Sequence, residues 1–296
     1  MDVVLPQLFV GLSLGAILLL VALGLTFTFG QMNVINMAHG EFLMAGAYTA
    51  YTVQQLLGPE AATRSFVVAL PGAFVVGGLL GLLLERTLIR RLYGRPLDTL
   101  LVTFGVALAL QQAARDIFGA PNVQVVAPAW LGGGLTVAGV QLPYTRLFIL
   151  GLVVVAITAV AVFIHVLPAG RRMRAVMQDR ELAGTSGIAT PRVDASTFVI
   201  GSGLAGVAGV ALTLLGPIGP TIGIFYLVDA FLVVIVGGLG RLWGAVVAAF
   251  GLGILNSFVE FTTGASLAKA ILFVAVVVFL QFRPQGVSGV RSRALA

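Results

Sequence analysis

The stretch LFVGLSLGAILLLVALGLTF, residues 8–27, decides what kind of protein this is. It passes without a single charge, and at 1.5 Å per residue a helix of this length spans the ~30 Å hydrocarbon core of a bilayer. It does not alternate with a period of two, so it does not read as a strand of a transmembrane β-barrel, whose segments are ~10 residues long. Neither does FLVVIVGGL, residues 231–239. The whole chain agrees: of 296 residues, 59% are hydrophobic and 9% charged, with a mean hydropathy of +1.07. A soluble domain would carry roughly a quarter charged residues. The expectation is an all-α, polytopic integral membrane protein, because a helix satisfies its backbone polar groups within its own segment.

Apolar runs recur outward from that stretch, at 5–30, 33–57, 66–85, 97–118, 147–167, 196–215, 228–240, 242–263 and 266–282. The runs at 33–57 and 228–240 are the least complete as helices, which gives about eight or nine transmembrane helices or broken segments in a single domain over 1–296. The lead-in MDVVLPQ lacks the positive charge of a cleaved signal peptide.

The net charge is +6, but the arginines lie between apolar runs and form no face with interleaved aromatics, so nucleic acid is not an expected partner. Arg86, Arg90, Arg91 and Arg95 make one group, Arg171, Arg172, Arg174, Arg180 and Arg192 a second, and Arg283, Arg291 and Arg293 a third. Cytoplasmic loops have this look, so all three are assigned inside, 283–296 being a basic cytoplasmic tail and the N-terminus external if all nine runs cross. Residues 119–144, rich in Val and Gly and free of charge, read as an external hairpin or plug. Residues 168–195 read as a cytoplasmic segment of short amphipathic helices, with Thr190-Pro191 marking the return to the membrane, and so as a docking surface for a cytoplasmic partner.

Within this apolar background INMAHGEFLMAGAY, residues 35–48, places Asn36, His39 and Glu41 at membrane depth. An ionisable group there costs at least ~2.5 kcal/mol and normally faces a cavity or a partner. One reading is a helix start, with Asn36 as N-cap and Glu41 in the first turns, where the helix dipole favours an anion. The other is a helix that begins partway through the membrane and lines the route of a small polar solute. A second interruption, GPIGPTIGIFYLVDAF at 216–231, leads to Tyr226 and Asp229. Both breaks follow a glycine-spaced helix, from Gly11 and from Gly201, and end in a carboxylate near a Phe, which suggests two halves related as an internal inverted repeat. Asn256 and Glu260, one turn apart, are expected to hydrogen-bond to another helix.

Several chemistries are missing from the sequence. No G-x-x-x-x-G-K-[ST] occurs, and the single lysine, Lys269, lies in SLAKAILF, so the chain does not cradle nucleotide phosphates. There is no cysteine, and His39 and His165 are too far apart in sequence to form a recognisable metal motif, so neither catalysis nor a metal is expected.

Taken in order, LGLTFTFGQMNVINMAHGEFLMAGAY (23–48), ERTLIRRLYGRP (85–96), GRRMRAVMQDRELAGTSGI (170–188), RVDASTFVIGSGLAGVAG (192–209), DAFLVVIVGGLGRLWGAVVAA (229–249) and FRPQGV (282–287) resemble the permeases of branched-chain amino acid ABC transporters. Within that family the chain looks most like the urea-transporter subgroup. The resemblance implies a bacterial inner-membrane subunit that pairs with a second, related permease. Two cytoplasmic ATPase subunits would bind ATP for it, and an external binding protein would deliver the solute. It also implies a coupling segment within 170–187, where Glu181, Leu182, Ala183 and Gly184, with Gly187 beyond them, look like a degraded ATPase-docking motif flanked by Arg174 and Asp179. The implied solute is urea, which Asn36, Glu41 or Asp229 suits by hydrogen bonding without a fixed counter-charge. The alternative is a branched-chain amino acid or another small amide, a zwitterion preferring both charge signs nearby. A solitary ion-coupled carrier is a further alternative, which the long basic segment at 168–195 argues against.

Overall fold

The computed structural model of the protein describes residues 3–32, 34–137 and 140–288; Arg291, Arg293 and the rest of the tail beyond 288 lie outside them. The described chain is a bundle of α-helices: α1 (Val4–Met32), α2 (His39–Leu57), α3 (Ala62–Thr87), α4 (Pro96–Phe118), α5 (Tyr144–His165), α6 (Pro168–Gln178), α7 (Arg180–Thr185), α8 (Thr190–Leu212), α9 (Ile222–Gly237), α10 (Leu242–Thr263) and α11 (Ala265–Phe282). Seven of them, α1, α3, α4, α5, α8, α10 and α11, are long and apolar enough to cross a membrane. The two weaker segments are helices of another kind. α2 starts at His39 and not at 33, and its 19 residues include His39, Glu41, Gln54 and Gln55. α9 has only 16 residues and starts at Ile222, before the expected 228, because the backbone is free to coil again once Pro217 and Pro220 are passed.

Between α4 and α5 the strands β1 (Gly134–Val137) and β2 (Val140–Pro143) pair antiparallel, Gly134 opposite Pro143 and Leu135 opposite Leu142. Gln54, near the end of α2, clamps the approach to this hairpin: its amide oxygen accepts from Val126 N–H at 2.8 Å and its Nε2 donates to Val126 O at 2.9 Å. Val123 and Ile218 exchange both backbone hydrogen bonds, which ties the stretch after α4 to the one before α9.

α1 and α8 form the centre, 72% and 78% buried over their apolar windows, whereas α5 and α11 are 22% and 17% buried and stand at the periphery. Lipid tails are as apolar as leucine, so the centre is assembled by close approach of small residues. A Cβ on Gly24 would lie 2.1 Å from the Gly201 carbonyl oxygen, and one on Gly46 would lie 2.1 Å from that of Gly206. Gly40 and Gly223, each in the first turn of its helix, are equally tight, 2.3 and 2.4 Å from each other's carbonyl oxygens.

The packing has a two-fold pattern. α1 packs on α10 as α8 packs on α3; α1 packs on α9 as α8 packs on α2; α2 meets α3 and α4 as α9 meets α10 and α11; and α1 meets α8, and α2 meets α9, across the centre. On the expected assignment of the arginine groups to the inside, α1 would run inward and α8 outward, which would make the halves inverted. Asn256, expected to bond to another helix, instead donates to Glu260 Oε2 at 3.1 Å along the exposed side of α10. Their i,i+4 spacing brings them together with no help from a neighbour.

Gly24→Ala is expected to lower the stability of the purified protein by roughly 1–3 kcal/mol, as overpacking does. Gly105→Ala, on α4 where a Cβ meets nothing within 4 Å, is expected to leave stability unchanged or raise it. Thermal unfolding of the two variants side by side checks this.

Candidate functional site

The break between α1 and α2 is built from backbone groups that have left one helix and not yet entered the next. In lipid each needs a partner. Met37 N–H donates to Thr103 Oγ1 of α4 at 3.0 Å, and Thr103 O–H lies 3.3 Å from Ile35 O while bonding Thr99 O at 2.8 Å. Asn36 Oδ1 accepts from Ala38 N–H at 3.0 Å. Asn36 therefore closes a turn ahead of the helix instead of capping it: the residue before α2 is Ala38, which makes no side-chain cap. The helix starts late because Thr103, from a different helix, already satisfies the Met37 amide.

His39 opens α2 and is fully buried. Its Nε2 lies 3.1 Å from Val21 O. A carbonyl only accepts, so that nitrogen carries the hydrogen. The ring sits against α1 where Gly24 leaves room, for a Cβ there would meet the imidazole at 2.8 Å. Glu41 is buried in the first turn, and its Oε1 accepts from Gln111 Nε2 of α4 at 2.8 Å. Among the described residues, Asn36 Nδ2, His39 Nδ1 and Glu41 Oε2 have no hydrogen-bond partner.

The five residues expected along one path thus divide into two groups. Asn36, His39 and Glu41 are enclosed by their own chain. Tyr226 and Asp229, three residues apart on α9, are only partly covered. Asp229 Oδ2 pairs with Lys269 Nζ of α11 at 3.2 Å, with side-chain exposures of 17% and 53%. The ammonium also stands 6.0 Å from the centroid of the Phe225 ring. Asp229 is the eighth residue of α9 and Lys269 the fifth of α11, so the pair lies roughly 6–10 Å along its helices from their N-terminal ends. Sequence reasoning passed over Lys269; the signal was a lone ammonium inside an apolar helix, which needs a partner.

A lateral cleft of about 370 Å³ lies between α2, α3 and α4, its walls including Met44, Tyr48, Val76, Leu110 and Phe118, and Tyr48 stacks on Phe118 at 4.2 Å. A second, of about 410 Å³, opens beside α6 among Phe27, His165, Arg174, Arg241 and Trp243. Among the described residues no three of His, Asp and Glu are placed to hold a metal ion.

Residues 7–280 match the model of one protein family, described as branched-chain amino acid transport system / permease component. The chain belongs to this permease family.

Among its relatives, the high-affinity branched-chain amino acid transport system permease protein BraD of Pseudomonas aeruginosa is 30% identical, over 96% of this chain and 95% of its own. The corresponding protein LivH of Escherichia coli is 29% identical over 96% and 95%. A probable branched-chain amino acid transport permease protein LivH of Methanocaldococcus jannaschii is 28% identical over 93% and 89%. No solved structure matches the chain.

In this permease the segment flagged for coupling is α6 and α7. Met173 and Val176 of α6 and Ala183 of α7 are buried, while Arg174, Glu181 and Gly184 are exposed. Asp179 caps α7, its carboxylate accepting from Leu182 N–H at 2.9 Å. Gly187, with φ of 83°, turns the chain after α7 toward α8.

Thr103→Val removes the acceptor of Met37 N–H while keeping the side-chain shape. It is expected to destabilise the permease by about 1–3 kcal/mol, the cost of an unsatisfied buried amide. Faster hydrogen exchange in peptides covering 34–41 would register the opening of the break.

Proposed function

We propose that the chain is one of two permease subunits of an ABC importer, and that its solute is a branched-chain amino acid. The observation that carries the choice of solute is the Asp229–Lys269 pair, with both signs 3.2 Å apart and partly exposed between membrane helices. A half-exposed ion pair at that depth calls for a wet path or a partner subunit on its open side. A zwitterion entering there exchanges partners, ammonium to Asp229 and carboxylate to Lys269. Neighbouring Ile224, Phe225 and Val228, exposed on the same helix, suit an aliphatic side chain. The names of the relatives point the same way. Urea, favoured by the sequence motifs, is neutral and recovers little from a fixed ion pair, and the polar atoms that suit it, on Asn36 and Glu41, are sealed inside the chain.

On this reading a second, related permease covers the open side of α9 and α11, and an external binding protein delivers solute beside the hairpin. Two ATPase subunits dock on the exposed side of α6–α7, where Glu181 and Gly184 stand free of the bundle. ATP is bound and hydrolysed by those subunits.

Membrane vesicles carrying the permease with its genomic partners test the solute. ATP-dependent uptake of labelled leucine is expected, with labelled urea unmoved. Asp229→Asn and Lys269→Met should each lower leucine uptake about ten- to a hundredfold, the range of a lost charged hydrogen bond. Urea uptake that survives both substitutions would replace the amino acid by urea. Solute uptake by the permease alone on an imposed proton gradient would replace the ABC importer by a carrier. Glu181→Ala is expected to weaken capture of the ATPase subunits, measured by co-purification.

A further inference from the structure

Beneath the docking segment lies a polar cluster that neither the solute path nor the docking surface uses. Arg180, the first residue of α7, reaches into the bundle and grips Asp194 of α8 with both arms of its guanidinium, Nη1 to Oδ1 at 3.1 Å and Nη2 to Oδ2 at 2.6 Å. The Asp194 side chain is completely buried, and that of Arg180 is 42% exposed. The guanidinium also lies over the ring of Tyr93, 4.9 Å from its centroid, in the connection between α3 and α4. Tyr93 in turn donates its O–H to Glu85 Oε1 of α3 at 3.2 Å, and Glu85 is buried. One side chain of the cytoplasmic segment is therefore bound to α8 directly and to α3 through Tyr93.

The helices it grips are the right ones to carry movement inward. α3 and α8 are packed on each other through glycine and serine: a Cβ on Gly77 would lie 2.5 Å from Ser202 O, and one on Gly206 would lie 2.2 Å from Ala73 O. α8 is as tight against α2, where a Cβ on Gly209 would lie 2.0 Å from Leu43 O. Close-packed backbones pass on a displacement where a looser interface would absorb it. The guanidinium fork fixes direction as well as distance, which a lysine at the same place would not. Its charge is constant in use. The hydrogen bonds that Arg180 donates to Asp194 hold it above its usual range, and burial pushes the Tyr93 phenol well above its own.

We propose that Arg180 is the rigid link through which movement of the α6–α7 segment reaches the α3–α8 pair, and through it the α2 break, during the transport cycle. This rests on the ABC importer reading above. It makes Arg180 a positioning residue. It touches no solute, and its removal alters the solute moved per ATP hydrolysed, not the affinity for solute.

The test uses the assembled complex of both permeases and both ATPases in proteoliposomes, with the binding protein and labelled leucine or urea, whichever the wild type moves. Assembly, ATP hydrolysis and uptake are measured together for wild type, Arg180→Lys, Arg180→Ala and the double variant Arg180→Ala, Asp194→Ala. Both single variants are expected to hydrolyse ATP while solute moved per ATP falls about tenfold, within the range of ordinary coupling free energies. The double variant removes the buried charge together with its partner. It is expected to assemble like wild type and to remain uncoupled. Unchanged solute per ATP in the singles, recovery of coupling in the double, or a double variant that still fails to assemble would each assign the pair to folding and overturn the proposal. A wild-type complex that hydrolyses ATP and moves neither solute would overturn the transport reading, and the link with it.

Discussion

Everything inside this bundle is governed by the absence of water around its interrupted backbone. A helix break in a soluble protein can leave its free amides to solvent; here each uncovered N–H costs several kcal/mol unless protein meets it. The α1–α2 break is possible because α4 supplies Thr103 to Met37, and Asn36 turns back to Ala38. That requirement draws α4 against the start of α2, a contact that Gln111 and Glu41 reinforce eight residues further along α4. The two-fold pattern extends the constraint, since α2 and α9 meet at their first turns through Gly40 and Gly223 and neither can be short unless the other begins beside it.

The sequence was legible where the physics is one-dimensional. Residues 8–27 declare a membrane helix on their own. Short-range features were readable for the same reason: Thr190-Pro191 does open α8, whereas the partner expected for Asn256 on another helix is Glu260 of its own. What could not be read was set by contacts between distant segments. The start of α2 depends on a hydroxyl 66 residues away, and the choice of Gly24 over alanine depends on both Gly201 and the His39 ring. A glycine count says that helices approach closely, and not which of them do.

The site shows the same division. Asn36, His39 and Glu41 stood out because they are polar in apolar sequence, yet the feature that attracted notice is also what drove them inside, His39 against Val21 of α1, Glu41 against Gln111 of α4, and Asn36 in its own turn with Ala38. Asp229 stood out too, and its partner did not, because the two are 40 residues apart on helices that meet at one edge of the bundle. Lys269 had the cue that counts at membrane depth, an ammonium without a visible counter-charge. In lipid, an isolated charge is a question about the three-dimensional structure, and its answer is seldom nearby in sequence.

Apart from the exposed Arg95–Asp98 pair, two ion pairs among the described residues differ in the way their proposed roles would require. Breaking a buried pair by removing one partner costs about 3–5 kcal/mol, because the other charge is stranded. Asp194 is wholly enclosed and is held by two hydrogen bonds from one rigid fork, so opening that pair is costly. Lys269 is half-exposed and meets Asp229 through a single contact on a flexible stem, and such a pair can be parted cheaply by anything that offers both carboxylate and ammonium in return. An exchangeable pair suits binding and release, and a permanent one suits the transmission of force. The first pair joins the early turns of α9 and α11 and the second joins α7 to the first turns of α8, so that on the proposed reading helices packed backbone to backbone lie between solute and motor.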